Sequence, residues 1–241
     1  MIRRYEGQRV YCAMKLLTEK ELIWSVVVAN NRMNRERKAS GVNSYEREIH
    51  FNPVQFLRTC IDRTGQGKWL DLCCGKGNAL LQCAADLSGY GLQDKAILKG
   101  VDLIDEFQHI PSSITCLQWE ASSVVDWIPD DRYDLITCIH GLHYVGDKLR
   151  VLEMACGALT ERGRLLVNID LGSIKGVGTY VKDVLVKHGI TYDVRKKLLI
   201  CEGQRTIKFG LTFKGASDQA GPNYTGQEAV DAYYFNSLQR T

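Results

Sequence analysis

From residue 68 onward, short apolar runs alternate with segments whose apolar positions recur every three or four residues. The run "KWLDLCC" reads as a strand, "GNALLQCAADLSGYG" as a helix, and "AILKGVDLI" and "SSITCLQWE" as strands. Further on, "RYDLITCIHGLHYV" opens as a strand, "DKLRVLEMACGALT" is an amphipathic helix, and "GRLLVNIDL" is a strand again. Such alternation predicts βαβ units and a mostly parallel sheet covered on both faces. Two later runs, "TYDVRKKLLICEG" and "QRTIKFGLTFKG", are strand-like and meet at Gly203 and Gln204, which predicts an antiparallel hairpin there. Residues 15–60 read as helical with no strand signal. Leu22, Ile23, Val26, Val27 and Met33 keep near-helical spacing behind a capping box at Thr18 and Glu21, and "NSYEREIHFNPVQFLRTCI" resumes that spacing after a break at Gly41. The end, "GASDQAGPNYTGQEAVDAYYF", reads as a Gly/Asn/Pro loop and then a short helix bearing Tyr233, Tyr234 and Phe235.

Composition narrows the classes. With 241 residues, 45% hydrophobic and 24% charged, the chain is long enough for one large α/β domain with decorations. A net charge of +3 does not by itself imply a nucleic-acid partner. The cluster Arg32, Arg35, Arg37 and Lys38 reads either as a solvated helix face or as a patch for phosphate or RNA. Nine scattered cysteines without a Cys-x-x-Cys pair argue for reduced, core-like thiols and a cytoplasmic location, and predict no metal site. No apolar leader is visible, and no run approaches the roughly 20 apolar residues of a membrane helix.

The chemistry concentrates at "LDLCCGKGN". Gly75 and Gly77 allow a tight turn and a close backbone approach to a ligand at the carboxyl end of the first strand. A dinucleotide fingerprint fits poorly, because Leu80 stands where its third small residue belongs. Asp71, just before the glycines, would also repel a pyrophosphate, so a ligand with positive charge is the better match. Here the sequence resembles the class I, seven-stranded S-adenosylmethionine-dependent methyltransferases. "LDLCCGKGN" resembles their first motif, with Cys73 where glycine is usual, and "KGVDLID" resembles the second strand with its terminal acid, Asp102. "LQWEASSV", "RYDLITCIHGLHYV" and "ALTERGRLLVNID" resemble the later motifs, so that the likeness covers about residues 68–214.

The resemblance implies an α/β, three-layer Rossmann-like fold: a mostly parallel seven-stranded sheet with an antiparallel C-terminal hairpin and an N-terminal helical lid. The division expected is a helical extension or lid over 1–60, a cofactor-binding methyltransferase core over 61–215, and a C-terminal loop and short helix over 216–241. S-Adenosyl-L-methionine is the implied cofactor and S-adenosyl-L-homocysteine the product. The implied cofactor residues are Asp71 near the positive methionine end, Cys73, Gly75 and Gly77 in the loop, and Asp102 on the ribose hydroxyls. Leu103 stands beside Asp102, Glu120 with Ala121 would meet the adenine amine, and His140 lies at the mouth. Asp71 and Asp102 read alternatively as caps, and Cys73 and Cys74 as small hydrophobes rather than nucleophiles.

Methyl transfer needs alignment and a dry site, and a general base where the acceptor is a hydroxyl or protonated amine. His140 and His143, after the fourth strand, are the candidate catalytic residues, alongside Tyr45 of the lid, which closes over the ligands or packs at the rim. Asp170 is another mouth residue, and Asn34, Arg35, Asn43, Ser44 and Arg47 are lid positions of interest. The aromatic C-terminal residues read as an acceptor wall or as packing on the sheet edge. The expected reaction is O- or N-methylation of a small molecule, with a specialised metabolite as one expected class, since no Asn-Pro-Pro-Tyr-like motif follows the fourth strand and the charge is modest. The alternatives are an RNA or protein acceptor docked on the basic N-terminal helix, a non-catalytic cofactor-binding protein, and an oxidoreductase using a nicotinamide cofactor. No membrane partner is expected, and the oligomeric state is left open.

Overall fold

The computed structural model describes residues 15–29 and 36–236. Its strands are β1 (Gly67–Leu72), β2 (Ala96–Asp102), β3 (Leu117–Ala121), β4 (Tyr133–Cys138), β5 (Leu159–Asn168), β6 (Ile174–Lys175), β7 (Thr191–Asp193), β8 (Leu198–Glu202), β9 (Leu211–Ser217) and β10 (Asp231–Asn236). The helices are α1 (Glu19–Leu22), α2 (Val26–Ala29), α3 (Tyr45–Ile49), α4 (Pro53–Thr64), α5 (Asn78–Gly89), α6 (Lys148–Gly157) and α7 (Tyr180–Lys187).

Seven strands form one sheet in the order β3-β2-β1-β4-β5-β8-β7. β1 to β5 run parallel, and β8 is antiparallel to both β5 and β7. The pleat sends alternate residues of β1 into different cores. Trp69 packs with Leu57 and Ile61 of α4 and with Leu80 and Cys83 of α5, while Leu70 and Leu72 join Leu149 and Leu152 of α6 and Val181 and Leu185 of α7. Because both faces are covered, the central strands are mainly apolar, with Asp71, Lys99, Asp134 and Thr137 as buried polar residues among them.

The expected hairpin exists but at a different place. It joins β7 to β8 inside "TYDVRKKLLICEG", with Lys197 turning at φ 50°. After β8 the chain leaves the sheet: Gly203 N–H donates to Gly163, Gln204 N–H to Thr160 and Arg205 N–H to Cys156, so 204–210 is not the strand its sequence suggests. β9 instead pairs with β10 in a second, three-stranded sheet of order β6-β10-β9. This corrects the short helix expected at the C-terminal end. Residues 231–236 form a strand whose Ala232, Tyr233 and Tyr234 are buried, because an aromatic run beside a paired edge gains more from a ladder than from an isolated turn of helix.

The N-terminal segment is helical only in pieces. The capping box at Thr18 and Glu21 forms, but α1 and α2 have four residues each, and Leu17 bridges antiparallel to Ala216 of β9, a strand-like contact in a region read as free of strand. His50, at φ 54°, then separates α3 from α4, whose first residue is Pro53 behind the Asn52 cap. Asn34, Arg35, Arg32 and Met33 lie outside the described residues.

Candidate functional site

An open cavity of about 860 Å³ lies over the carboxyl ends of β1, β2 and β4. Cys73, Cys74 and Gly75 line it from the first loop, Asp102, Leu103 and Ile104 from the end of β2, Ser123 and Val124 from beyond β3, and Ile139, Gly141, Tyr144 and Val145 from beyond β4. Glu19, Ile23, Val28, Arg37 and Tyr45 close it from the N-terminal side.

The first loop is shaped by the groups around it. Cys73 and Gly75 both have positive φ, at 55° and 62°. The Gly75 N–H donates to Oδ2 of Asp102 at 2.8 Å and the Ile104 N–H to Oδ1 at 3.1 Å, so Asp102 ties the first loop to the second strand while facing the cavity. Gly77 has a different task from the one its position suggests. It caps α5 at φ 77°, and a Cβ there would stand 2.3 Å from the Trp119 ring, which also covers Gly100 and stacks on Phe107. Gly141 is excluded from substitution in the same way, since a Cβ would fall 2.2 Å from Cβ of Cys73. The Cys73 thiol is held up by its hydrogen bond with Cys138 and by burial, so it stays protonated and is no nucleophile.

Asp71 is fully buried and does not line the cavity. Thr137 Oγ1 donates to its Oδ1 at 2.5 Å and the Tyr45 hydroxyl to its Oδ2 at 2.8 Å, while Trp69 Nε1 donates to Thr137 at 2.8 Å. Burial pushes the carboxyl up to about 7, against the pull of those two donors. Tyr45 thus lines the cavity while its hydroxyl reaches Asp71. Glu120 pairs with Lys99 at 2.9 Å, and neither it nor Ala121 lines the cavity; Ser123 and Val124, one turn further on, do.

Beyond β4, His140 occupies the left-handed region at φ 64° and starts a single helical turn, Gly141–Tyr144. Its Nε2 contacts Oε1 of Glu48 on α3, whose Oε2 accepts from Arg37 Nε at 2.6 Å. The His140 ring lies 5.7 Å from that of His143, and Tyr224 completes the group at 6.2 Å and 5.4 Å from the two rings. Burial, aided by His140 and Lys148, holds His143 down at about 3, so it is neutral near pH 7, and its buried Nε2 has no hydrogen-bond partner among the described residues. Asp170 pairs with Lys197 at 3.1 Å and caps the turn after β5 through the Gly172 N–H. Of the remaining lid positions, Ser44 caps α3, the Asn43 carbonyl accepts from Lys38 N–H, and Arg47 is exposed. Glu19, Glu48 and Tyr224 escape sequence reasoning, because each reaches the site from a distant segment. The only local signal is the capping motif beside Glu19.

Residues 43–194, more than half of the chain, match the family model described as a methyltransferase domain. The chain belongs to that family and carries a class I S-adenosylmethionine-dependent methyltransferase domain. No curated protein matches it. Among solved structures, the plantazolicin methyltransferase BpumL, in complex with a desmethyl analogue and S-adenosylhomocysteine, is 17% identical over 47% of this chain and 44% of its own, with a TM-score of 0.38. The N-methyltransferase NodS from Bradyrhizobium japonicum is 14% identical over 91% and 98%, with a TM-score of 0.37. The CurJ carbon methyltransferase is 13% identical over 61% and 52%, with a TM-score of 0.44. The chain thus spans less than half the length of the plantazolicin enzyme it matches. Among the described residues no helix is long and apolar enough to cross a membrane, and no His, Cys, Asp and Glu group is arranged to hold a metal ion.

Proposed function

We propose that the protein transfers a methyl group to an oxygen or nitrogen of a small molecule, with specialised metabolites as the favoured class. The observation that carries this reading is the enclosure of the cavity. Tyr45 and Glu48 of α3 fasten the N-terminal segment to Asp71 and His140, and Glu19, Ile23, Val28, Arg37 and Tyr45 cover the cavity from that side, as suits a small acceptor.

The residues present suit S-adenosylmethionine. Asp102 offers carboxylate lone pairs to ribose hydroxyls beyond the two backbone donors it already accepts, Leu103, Ile104 and Val124 offer an apolar wall to the adenine, and the Cys73 to Gly75 backbone passes close by without bulky side chains. A carboxylate-rich wall with Asp102 and Glu19 favours a cation over a pyrophosphate. When bound, the cofactor supplies an electrophilic methyl group on a sulfonium. The chain's own part is to orient the acceptor, exclude water and take up its proton.

Titration calorimetry with S-adenosylhomocysteine tests the reading. Binding by the native protein, weakened about tenfold or more in Asp102→Ala and absent for NAD, is expected, since a hydrogen bond to a charged group contributes on the order of 1.5–3 kcal/mol. No binding by the native protein overturns it. A screen of hydroxyl- and amine-bearing small molecules with methyl-labelled cofactor then identifies the acceptor, and turnover should depend little on salt. A steep salt dependence would favour a nucleic acid instead. Of the basic cluster, Arg37 is already engaged by Glu48, and Arg32 and Arg35 lie outside the described residues.

A further inference from the structure

We propose that Glu48 is a positioning residue for methyl transfer: by accepting the Nε2 proton of His140 it leaves the Nδ1 lone pair of that ring to receive a proton from the acceptor. The inference rests on the reading above and narrows it to acceptors that must lose a proton, hydroxyls and protonated amines, as against thioethers or tertiary amines.

The argument begins with the carboxylate. The Arg37 guanidinium, 2.6 Å from Oε2 of Glu48, favours the ionised carboxylate over the acid. An ionised carboxylate only accepts. Its Oε1 lies against Nε2 of His140 and its Oε2 receives the Arg37 Nε–H, so the ring nitrogen facing it must carry the hydrogen. In the neutral imidazole the lone pair then belongs to Nδ1.

Three further features support a working ring over a packing one. His140 is a non-glycine residue in the left-handed region, a conformation that costs on the order of 1–3 kcal/mol and persists where the surroundings enforce it. Its neighbours Ile139 and Gly141 line the cavity, although its own ring does not, and the turn is pinned because Gly141 abuts Cys73 of the first loop. Beside it, His143 buries an Nε2 without a partner, an atom that a polar acceptor could satisfy. In the step, the acceptor O–H or N–H bond breaks as its proton passes to Nδ1, and the electron pair so freed would bond the methyl carbon while the bond from that carbon to the sulfonium sulfur breaks, leaving S-adenosylhomocysteine. The imidazolium so formed is stabilised by Glu48 and later gives the proton to water.

The tautomer can be read directly by long-range proton–nitrogen spectra of the full chain labelled at its five histidines, with His140→Gln assigning the signal. Once the ring is neutral, seen as no further change of its nitrogen shifts with rising pH, native His140 should be the pure Nε2–H form, Glu48→Leu should mix the two tautomers, and Glu48→Asp should restore the native pattern. If Glu48→Leu does not fold, Glu48→Gln serves, because its amide presents either a donor or an acceptor to the ring. A native spectrum with the proton on Nδ1, or one unchanged by these substitutions, overturns the proposal. With an acceptor in hand, Glu48→Leu should lower kcat about 100-fold while KM and S-adenosylhomocysteine affinity hold; an unchanged kcat also overturns it. Failure of the native protein to bind S-adenosylhomocysteine would sink the methyltransferase site itself, whereas normal binding with an unmoved tautomer sinks only the role of Glu48.

Discussion

Tyr45 and Asp71 meet in a place where neither can be hydrated, and that makes their hydrogen bond depend on pH. Above about 7 the Asp71 carboxyl ionises in the folded chain and needs both of its donors; below that it is neutral and needs them less. Tyr45→Phe should therefore destabilise by about 1–2 kcal/mol at pH 8 and by less at pH 5, read from urea midpoints at the two pH values. The acid itself acts with a fixed sign. Its folded pKa is raised, so its contribution to stability is fully present below the unfolded value near 3.8 and is lost as pH rises through about 7. Asp71 and Asp102 were legible in the sequence because an acid at a strand end stands out of an apolar run. Tyr45 was legible as a lid residue but not its partner, and Glu48 was invisible, since nothing local marks a glutamate on α3 as facing a histidine 92 residues further on.

At the scale of elements, the start of α5 is set by packing as much as by ligand approach. Gly77→Ala meets both a left-handed backbone and the Trp119 ring, and should cost about 2 kcal/mol or more in denaturant unfolding. Trp119→Leu in the same chain should return part of that loss, the clash being relieved and the backbone strain kept. The parallel strands were readable because β1, β2, β4 and the second half of β5 are buried on both faces and each is followed by turn residues or a helix. β9 and β10 were not, because each is defined by its partner: the aromatic run of β10 suits a short helix until β9 and β6 are placed beside it. The same holds for 204–210, whose backbone donors are taken by β5 and α6 segments that lie far back in the chain.

On the scale of the molecule, the second sheet is the frame against which the site is closed. Val230 N–H donates to the His143 carbonyl, the Tyr234 hydroxyl accepts from Leu149 N–H and donates to Asp147, and the fully buried Lys148 ammonium donates to the carbonyls of Val145 and Val230. Burial depresses Lys148 to about 7, with Glu19 and Asp231 pulling the other way. Between about 7 and the unfolded value near 10.5 the unfolded chain holds the extra proton, so this group makes stability rise with pH across that window. Lys148→Met should flatten that rise in thermal melts at pH 7 and pH 9.5. The bridge from Leu17 to Ala216 carries a consequence for biosynthesis. Tyr45 and Glu48 find their partners within the large sheet, but the stretch around Leu17 cannot form its bridge until residue 216 has emerged, so a nascent chain stalled before residue 211 would hold its large sheet with that end of the N-terminal segment unpaired. Release of the remaining residues, measured as a late gain of protease resistance around Leu17, would be the event that fastens it.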